Sequence, residues 1–172
     1  MILNNYFYVK RKLSYTTYSD TSTRYEDVTA IDGQSHSVPT QGNTSQSGSL
    51  HQKINGNRAL RDKLSVRVGT GDTDPTKNDY CLATDVTSSF SNTSTTVNIQ
   101  QVTGDKLLTR LTFNGTNSSG SNITIKEVGI IKNYYVNSSS TIDVLFTREV
   151  LAEPMVVTNG GGIVITVDWY EE

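Results

Sequence analysis

The chain has one cysteine, three prolines, two methionines and one tryptophan in 172 residues. Each scarcity excludes something. Cys81 alone forms no intrachain disulfide, and no cysteine-based zinc site can be assembled around it. No apolar run approaches the roughly 20 residues that a membrane-spanning helix needs. The opening MILNNYFYVKRKL has no basic segment leading into an apolar one, so no secretory signal is visible. The expectation is a protein made in a reducing cytoplasm, with no membrane partner. Charge is scarce too: 15 Lys+Arg against 17 Asp+Glu leave a net −2, and only Lys10-Arg11-Lys12 cluster. That balance offers no positive field to nucleic acid.

What is abundant is Ser, Thr and Asn, about a third of the chain together. Thr, Val, Ile and Tyr are frequent where Ala and Met are not, a balance that favours strands joined by polar turns. Only 34% of residues are hydrophobic, so the core must be thin. Six Asn-x-Ser/Thr sequons, at Asn43, Asn92, Asn114, Asn117, Asn122 and Asn137, read as a by-product of this bias.

The N-terminal part, residues 1–62, reads as an arm or linker with a strand in it. Its first stretch interleaves Tyr6, Tyr8, Tyr15, Tyr18 and Tyr25 with polar residues. GQSHSVPTQGNTSQSGS (33–49) then has almost nothing to bury and reads as an extended connection. From residue 63 to 172 the pattern changes to short alternating segments. Leu64, Val66 and Val68 alternate with polar residues, as do Thr95, Val97 and Ile99, then Leu107, Thr109, Leu111 and Phe113. Ile123 and Ile125 share a face that switches at Glu127-Val128, with Gly129 beside the switch, the signature of a β-bulge. Ile142, Val144 and Phe146, and then Ile163, Ile165, Val167 and Trp169, complete the set. Turns fall at 103–105, 114–122, 133–140 and 159–162. The pattern predicts an all-β fold, an antiparallel β-sandwich of jelly-roll-like build with an extended N-terminal arm; periodicity alone leaves a small barrel open.

VGTGDTDPTKNDYCL (68–82) carries the most tempting chemistry. Its Gly-x-Gly lacks the third glycine of a dinucleotide fingerprint and the Gly-Lys-Ser/Thr ending of a phosphate loop. No helix follows to supply the anion-binding N-terminus that both require. Asp72, Asp74 and Asp79 are hard oxygen donors of the kind calcium prefers, but their spacing is not that of a helix-flanked calcium loop. Turn capping around Pro75 is the competing reading. His36 and His51 have no nucleophile beside them. The carboxylates Glu127/Glu149 and Asp143/Asp168 fall on strands, where a glycosidase-like pair competes with ion pairing to Arg110 or Arg148. Cys81 reads as a small hydrophobe. Tyr134, Tyr135, Trp169 and Tyr170 are candidates for a sugar-stacking platform, with core packing the alternative for Trp169. No catalytic or cofactor-binding residue is singled out.

Three segments taken in order resemble a recurring pattern of tailed-bacteriophage virion proteins. They are VGTGDTDPTKNDYCL; ITIKEVGIIKN (123–133); and LFTREVLAEPMVVTNGGGIVITVDW (145–169), an Arg-bearing strand, a proline and a glycine-led closing strand. The resemblance covers about residues 64 to 170. It implies a β-rich, non-enzymatic structural module of the virion, assembling with other virion proteins and copies of itself on capsid, neck or tail. It assigns structural roles to Glu127, Gly129, Arg148 and Pro154 and implies no cofactor. The alternative is a receptor- or glycan-binding module of a fibre, with a host-surface glycan as partner. Glu127, a carboxylate at a bulge, is expected to pair with Arg110 or Arg148 and fix strand register.

Overall fold

A computed structural model describes residues 24–41, 64–101, 107–135 and 140–171. The strands are β1 (Arg24–Thr29), β2 (Ser35–Gln41), β3 (Leu64–Gly69), β4 (Phe90–Gln101), β5 (Leu107–Asn117), β6 (Ile123–Tyr135), β7 (Thr141–Val157) and β8 (Gly162–Glu171). All pairings are antiparallel. Among the described residues the only helical element is a 3-10 turn at Thr87–Ser89. None is a helix long and apolar enough to cross a membrane.

Two three-stranded sheets, ordered β3-β6-β7 and β4-β5-β8, face one another across a single core. One sheet contributes Val66, Val68, Ile125, Ile130 and Val157; the other contributes Phe90, Leu111, Phe113, Ile163 and Ile165. Phe90 meets Phe113 edge-on, with ring centroids 6.3 Å apart. The alternation read from the sequence is the physical cause: each strand buries every second side chain against the opposite sheet. A jelly roll has eight strands in its two sheets. The described residues supply six, three to each sheet.

The remaining two strands form a separate hairpin that alters the reading of the N-terminal part. Residues 35–41, placed in a linker by their polarity, are β2, paired to β1 from Arg24↔Gln41 to Thr29↔Ser35. The turn closes with Gly33 in the left-handed region (φ 80°) and the Gly33 N–H donating to the Ala30 carbonyl at 2.9 Å. A division of the chain at residue 62 parts segments that touch in space. The Ile31 N–H donates to the Asp143 carbonyl of β7 at 2.9 Å, and the Ile31 side chain packs on Leu82, Ile131 and Leu145.

Register irregularities concentrate on the β6–β7 pair. Ile125 opposes Met155 and Glu127 opposes Val150, so two steps along β6 match five along β7. The surplus, around Leu151–Pro154, places Pro154 where its missing N–H costs no ladder bond. On β6 the core-facing set switches from Ile123 and Ile125 to Val128 and Ile130. From Glu127 onward the odd-numbered residues of β6 therefore look outward. A second irregularity leaves Phe146 extra on β7, and Val144, Leu145 and Phe146 are all buried.

Candidate functional site

The outward face of the β3-β6-β7 sheet is not solvated, because the segment from Thr70 to Val86 lies across it as a third layer. Gly129 sits in one row between Arg67 on β3 and Arg148 on β7. It has to be glycine. A Cβ there would lie 2.7 Å from Leu145 Cδ1 and 2.9 Å from Leu82 Cδ2, so the missing side chain is the space that the covering segment's Leu82 occupies. The two guanidiniums flanking that row each take their own set of carboxylates.

Arg148 is 2% exposed and Glu127 is fully buried. Arg148 Nε donates to Glu127 Oε2 at 2.7 Å, Nη1 donates to Asp79 Oδ2 at 2.7 Å, and Nη2 donates to the Thr73 carbonyl at 2.9 Å. Glu127 takes three backbone N–H groups besides: Gly71 at 3.1 Å and Thr84 at 2.8 Å on Oε1, and Ala83 at 3.0 Å on Oε2. Burying a lone carboxylate costs several kcal/mol. Here its lone pairs are all occupied by donors, one of them cationic, and such charge-assisted bonds are the strong ones. Gly69 and Gly71 make the approach possible. A Cβ on Gly69 would collide with Glu127 Oε1 and lie 2.6 Å from the Thr84 carbonyl, and one on Gly71 would lie 2.5 Å from Ala83 Cβ.

Asp79 completes the chain. Its Oδ1 accepts from Thr76 Oγ1 at 2.6 Å and its Oδ2 from the Thr76 N–H at 3.1 Å. Burial alone would push its carboxyl up; the Thr76 and Arg148 hydrogen bonds together outweigh that and hold it below the ordinary aspartate value. Around Cys81 burial pushes the thiol up, and the nearby Asp79 and Glu127 charges add to it. The thiolate needed for nucleophilic chemistry is disfavoured.

Arg67 forms the second network on the same face. It donates to Asp143 at 3.0 Å and to Asp85 at 3.2 Å, and Asn133 Nδ2 donates to the other Asp143 oxygen at 2.8 Å. Asp85 also accepts from the Thr87 N–H at 2.8 Å, which starts the 3-10 turn. Asp168 lies on the outer face of the other sheet, bound through both oxygens by Arg110 at 2.7 Å. Asp143 and Asp168 therefore lie on opposite sides of the sandwich. Glu149, exposed and cross-strand from Val128, falls on the other face of its sheet from Glu127. Neither carboxylate pair converges on a cleft.

The same geometry parts the three aspartates of residues 68–82 that were weighed as calcium donors. Asp72 turns outward onto Lys126 Nζ at 2.8 Å, Asp74 is exposed, and Asp79 turns inward to Arg148. Among the described residues no three His, Cys, Asp or Glu side chains are placed to hold a metal ion. Of the two arginines considered for Glu127, the partner is Arg148. His36 stands in the hairpin, 3.8 Å from Asp32; His51 and the side chains of Tyr134, Tyr135, Trp169 and Tyr170 lie outside the described residues.

One organising residue gave no signal in the sequence. Asn117, 1% exposed, donates through Nδ2 to the carbonyls of Ser121 (2.8 Å), Val157 (3.0 Å) and Thr158 (3.2 Å). Its Oδ1 accepts from the Ser119 N–H at 3.0 Å and from Ser119 Oγ at 2.8 Å. It ties the β5–β6 turn to the β7–β8 turn at one end of the sandwich. Its sequon is structurally closed to a glycan, because the amide nitrogen is buried and in use. Comparison with known protein families, curated proteins and solved structures gives no match to this chain.

Proposed function

We propose that this chain is a non-enzymatic structural component of a tailed-phage virion, assembling in several copies on the capsid, neck or tail. One observation carries the reading. The three sequence segments that resemble virion proteins meet at one place, the Glu127–Arg148–Asp79 network, and their polar residues there are consumed by holding layers together. Glu127 presents no free lone pair and Arg148 almost no surface, so the most buried charged constellation among the described residues serves as a strut. Such a strut suits a protein whose work is to keep shape: it pins a long polar segment to a sheet without needing a large apolar core. A thin core in one copy also suits a chain that is stabilised further by neighbours.

The test is the particle itself. Purified virions carrying an epitope-tagged copy of this chain should contain it at fixed stoichiometry, resistant to salt washing and visible as ordered density at one position. Particles that lack the chain, while the free protein accumulates in the lysate, would reject the proposal. Retention of particle assembly on deletion, coupled to loss of adsorption and infectivity, would instead favour the glycan- or receptor-binding alternative.

A further inference from the structure

We infer that the outer edge of β8 is a self-pairing edge, which docks antiparallel against β8 of a second copy and joins two β4-β5-β8 sheets into one. The inference rests on the assembling reading above only in expecting several copies. Four strands stand at the edges of the two sheets: β3 is blocked, and β4 and β7 are interrupted. Along β3, the Val68 N–H donates to Thr87 Oγ1 at 2.9 Å, the Val68 carbonyl accepts from the Val86 N–H at 3.0 Å, and the Val66 N–H donates to Thr95 Oγ1 at 3.3 Å. Along β4 the register shifts between Ser91 and Ser94, with Asn92 forced to φ 52°. Along β7 two irregularities and Pro154 break the edge, and the Ile31 N–H already caps the Asp143 carbonyl. These are the devices by which sheet proteins keep edges from pairing.

β8 has none of them. It is paired residue for residue with β5 from Thr116↔Gly162 to Leu107↔Glu171, with no shift, and GIVITVDWYE holds no proline, lysine or arginine. Among the described residues nothing pairs with its outer side. Asp168 is neutralised by Arg110. Val164, on the outward face, is 65% exposed, with Val156 the highest value among the described large hydrophobic residues. A straight edge free of proline and of cationic side chains, with an exposed β-branched residue, is a template for strand addition.

Charge and side-chain pattern select the occupant. A second copy laid parallel in register would stack Asp168 on Asp168, and like charges directly opposite are destabilising. Laid antiparallel about a twofold axis at Ile165, it sets Asp168 opposite Gly162 and Val164 opposite Thr166, a β-branched pair. The edge is then complementary to itself, the condition for an isologous dimer.

Sedimentation analysis of the full chain should show a concentration-dependent dimer. Val164→Lys should weaken it by at least about tenfold, since lysine at an edge opposes pairing. Val156→Lys, equally exposed but on β7, should leave it intact; Val164 and Val156 being surface residues, both variants should melt like wild type. The amides of 162–168 that point away from β5 should gain exchange protection only in the dimer. A chain that stays monomeric up to its solubility limit, a dimer that survives Val164→Lys, or protection of those outward amides in the monomer overturns the inference. The last of these would mean that the chain fills its own edge. A monomeric chain present in particles would reject the edge pairing alone, and a β8-dependent dimer absent from particles would reject the virion assignment alone.

Discussion

Replacing Glu127 by glutamine changes almost no volume and removes one charge at the most enclosed point of the fold. The glutamine oxygen can keep the Gly71 and Thr84 N–H groups on the Oε1 side. Its NH2 would then stand where Oε2 stood, facing the Ala83 N–H at 3.0 Å and Arg148 Nε–H at 2.7 Å, donors against donors. Flipping the amide only moves the conflict to Gly71 and Thr84. Breaking a buried pair by removing one charge costs about 3–5 kcal/mol, and a domain of this kind has roughly 5–15 kcal/mol in all. Glu127→Gln should therefore still fold but lose a large share of its stability, read as a lower urea midpoint by far-ultraviolet circular dichroism. Trypsin should also cut faster after Lys77, in the covering segment that the carboxylate holds. Pairing it with Arg148→Met should recover part of the loss: the fully buried charges are gone, only the partly buried Asp79 loses its cation, and the two single costs should fail to add by about 1–3 kcal/mol. A Glu127→Gln protein within about 1 kcal/mol of wild type would refute the strut, since that is what an exposed, expendable ion pair contributes.

Three further outcomes follow from the same geometry. Asp79 is held below its unfolded value, so its contribution is complete above about pH 4 and is lost as pH falls through its lower folded value; urea midpoints should drop over that acid range in wild type and less steeply in Asp79→Asn. Gly129→Ala should destabilise by about 1–3 kcal/mol, because its methyl meets Leu145, Leu82 and the Thr147 carbonyl at 3.1 Å or less; thermal melts decide this, and an unchanged midpoint would show that the covering segment can shift aside. Asn117→Ala should cost about 1–3 kcal/mol by stranding carbonyls at the turn end, and Asn117→Asp should cost more, since it points an anion at three carbonyl oxygens; equal melting of both variants with wild type would remove Asn117 from the architecture.

How much of this was legible in the chain depends on where burial comes from. Strands buried by a facing strand announce themselves, because cover on one side gives a period of two: Leu111 and Phe113, or Ile163 and Ile165, are core residues for that reason. Strands buried by a loop do not. The second buried face of β6, carrying Glu127, Gly129 and Ile131, is covered by Thr70–Val86, whose own composition is that of a turn. A carboxylate beside a glycine in an otherwise apolar run, KEVGII, was the visible trace, and it narrowed the partner of Glu127 to Arg110 or Arg148. Nothing local could join Arg148 to Asp79, 69 residues apart, or lift Asn117 out of a run of similar polar residues. β2 was hidden for the opposite reason: as half of a two-stranded ribbon it has little to bury, so SHSVPTQ looks like linker although Ser35 to Pro39 pair in register with β1.

The same logic explains why a chain with so few hydrophobic residues can hold three layers. A loop 17 residues long, from Thr70 to Val86, would need an apolar underside to be pinned by packing, and it offers little beyond Leu82. It is pinned instead by backbone N–H groups converging on one carboxylate, and by one guanidinium reaching the loop's carbonyl and aspartate from beneath. Each bond fixes a different loop residue: Gly71, Thr73, Asp79, Ala83 and Thr84 are all tied to Glu127 or Arg148. Polar burial is costly when half satisfied and specific when complete. That specificity constrains the glycines as tightly as the charges, because the N–H groups reach Glu127 only where Gly69 and Gly71 bring backbone into contact. The glycine-rich segment that first suggested a phosphate cradle does cradle an anion, and the anion is the protein's own Glu127.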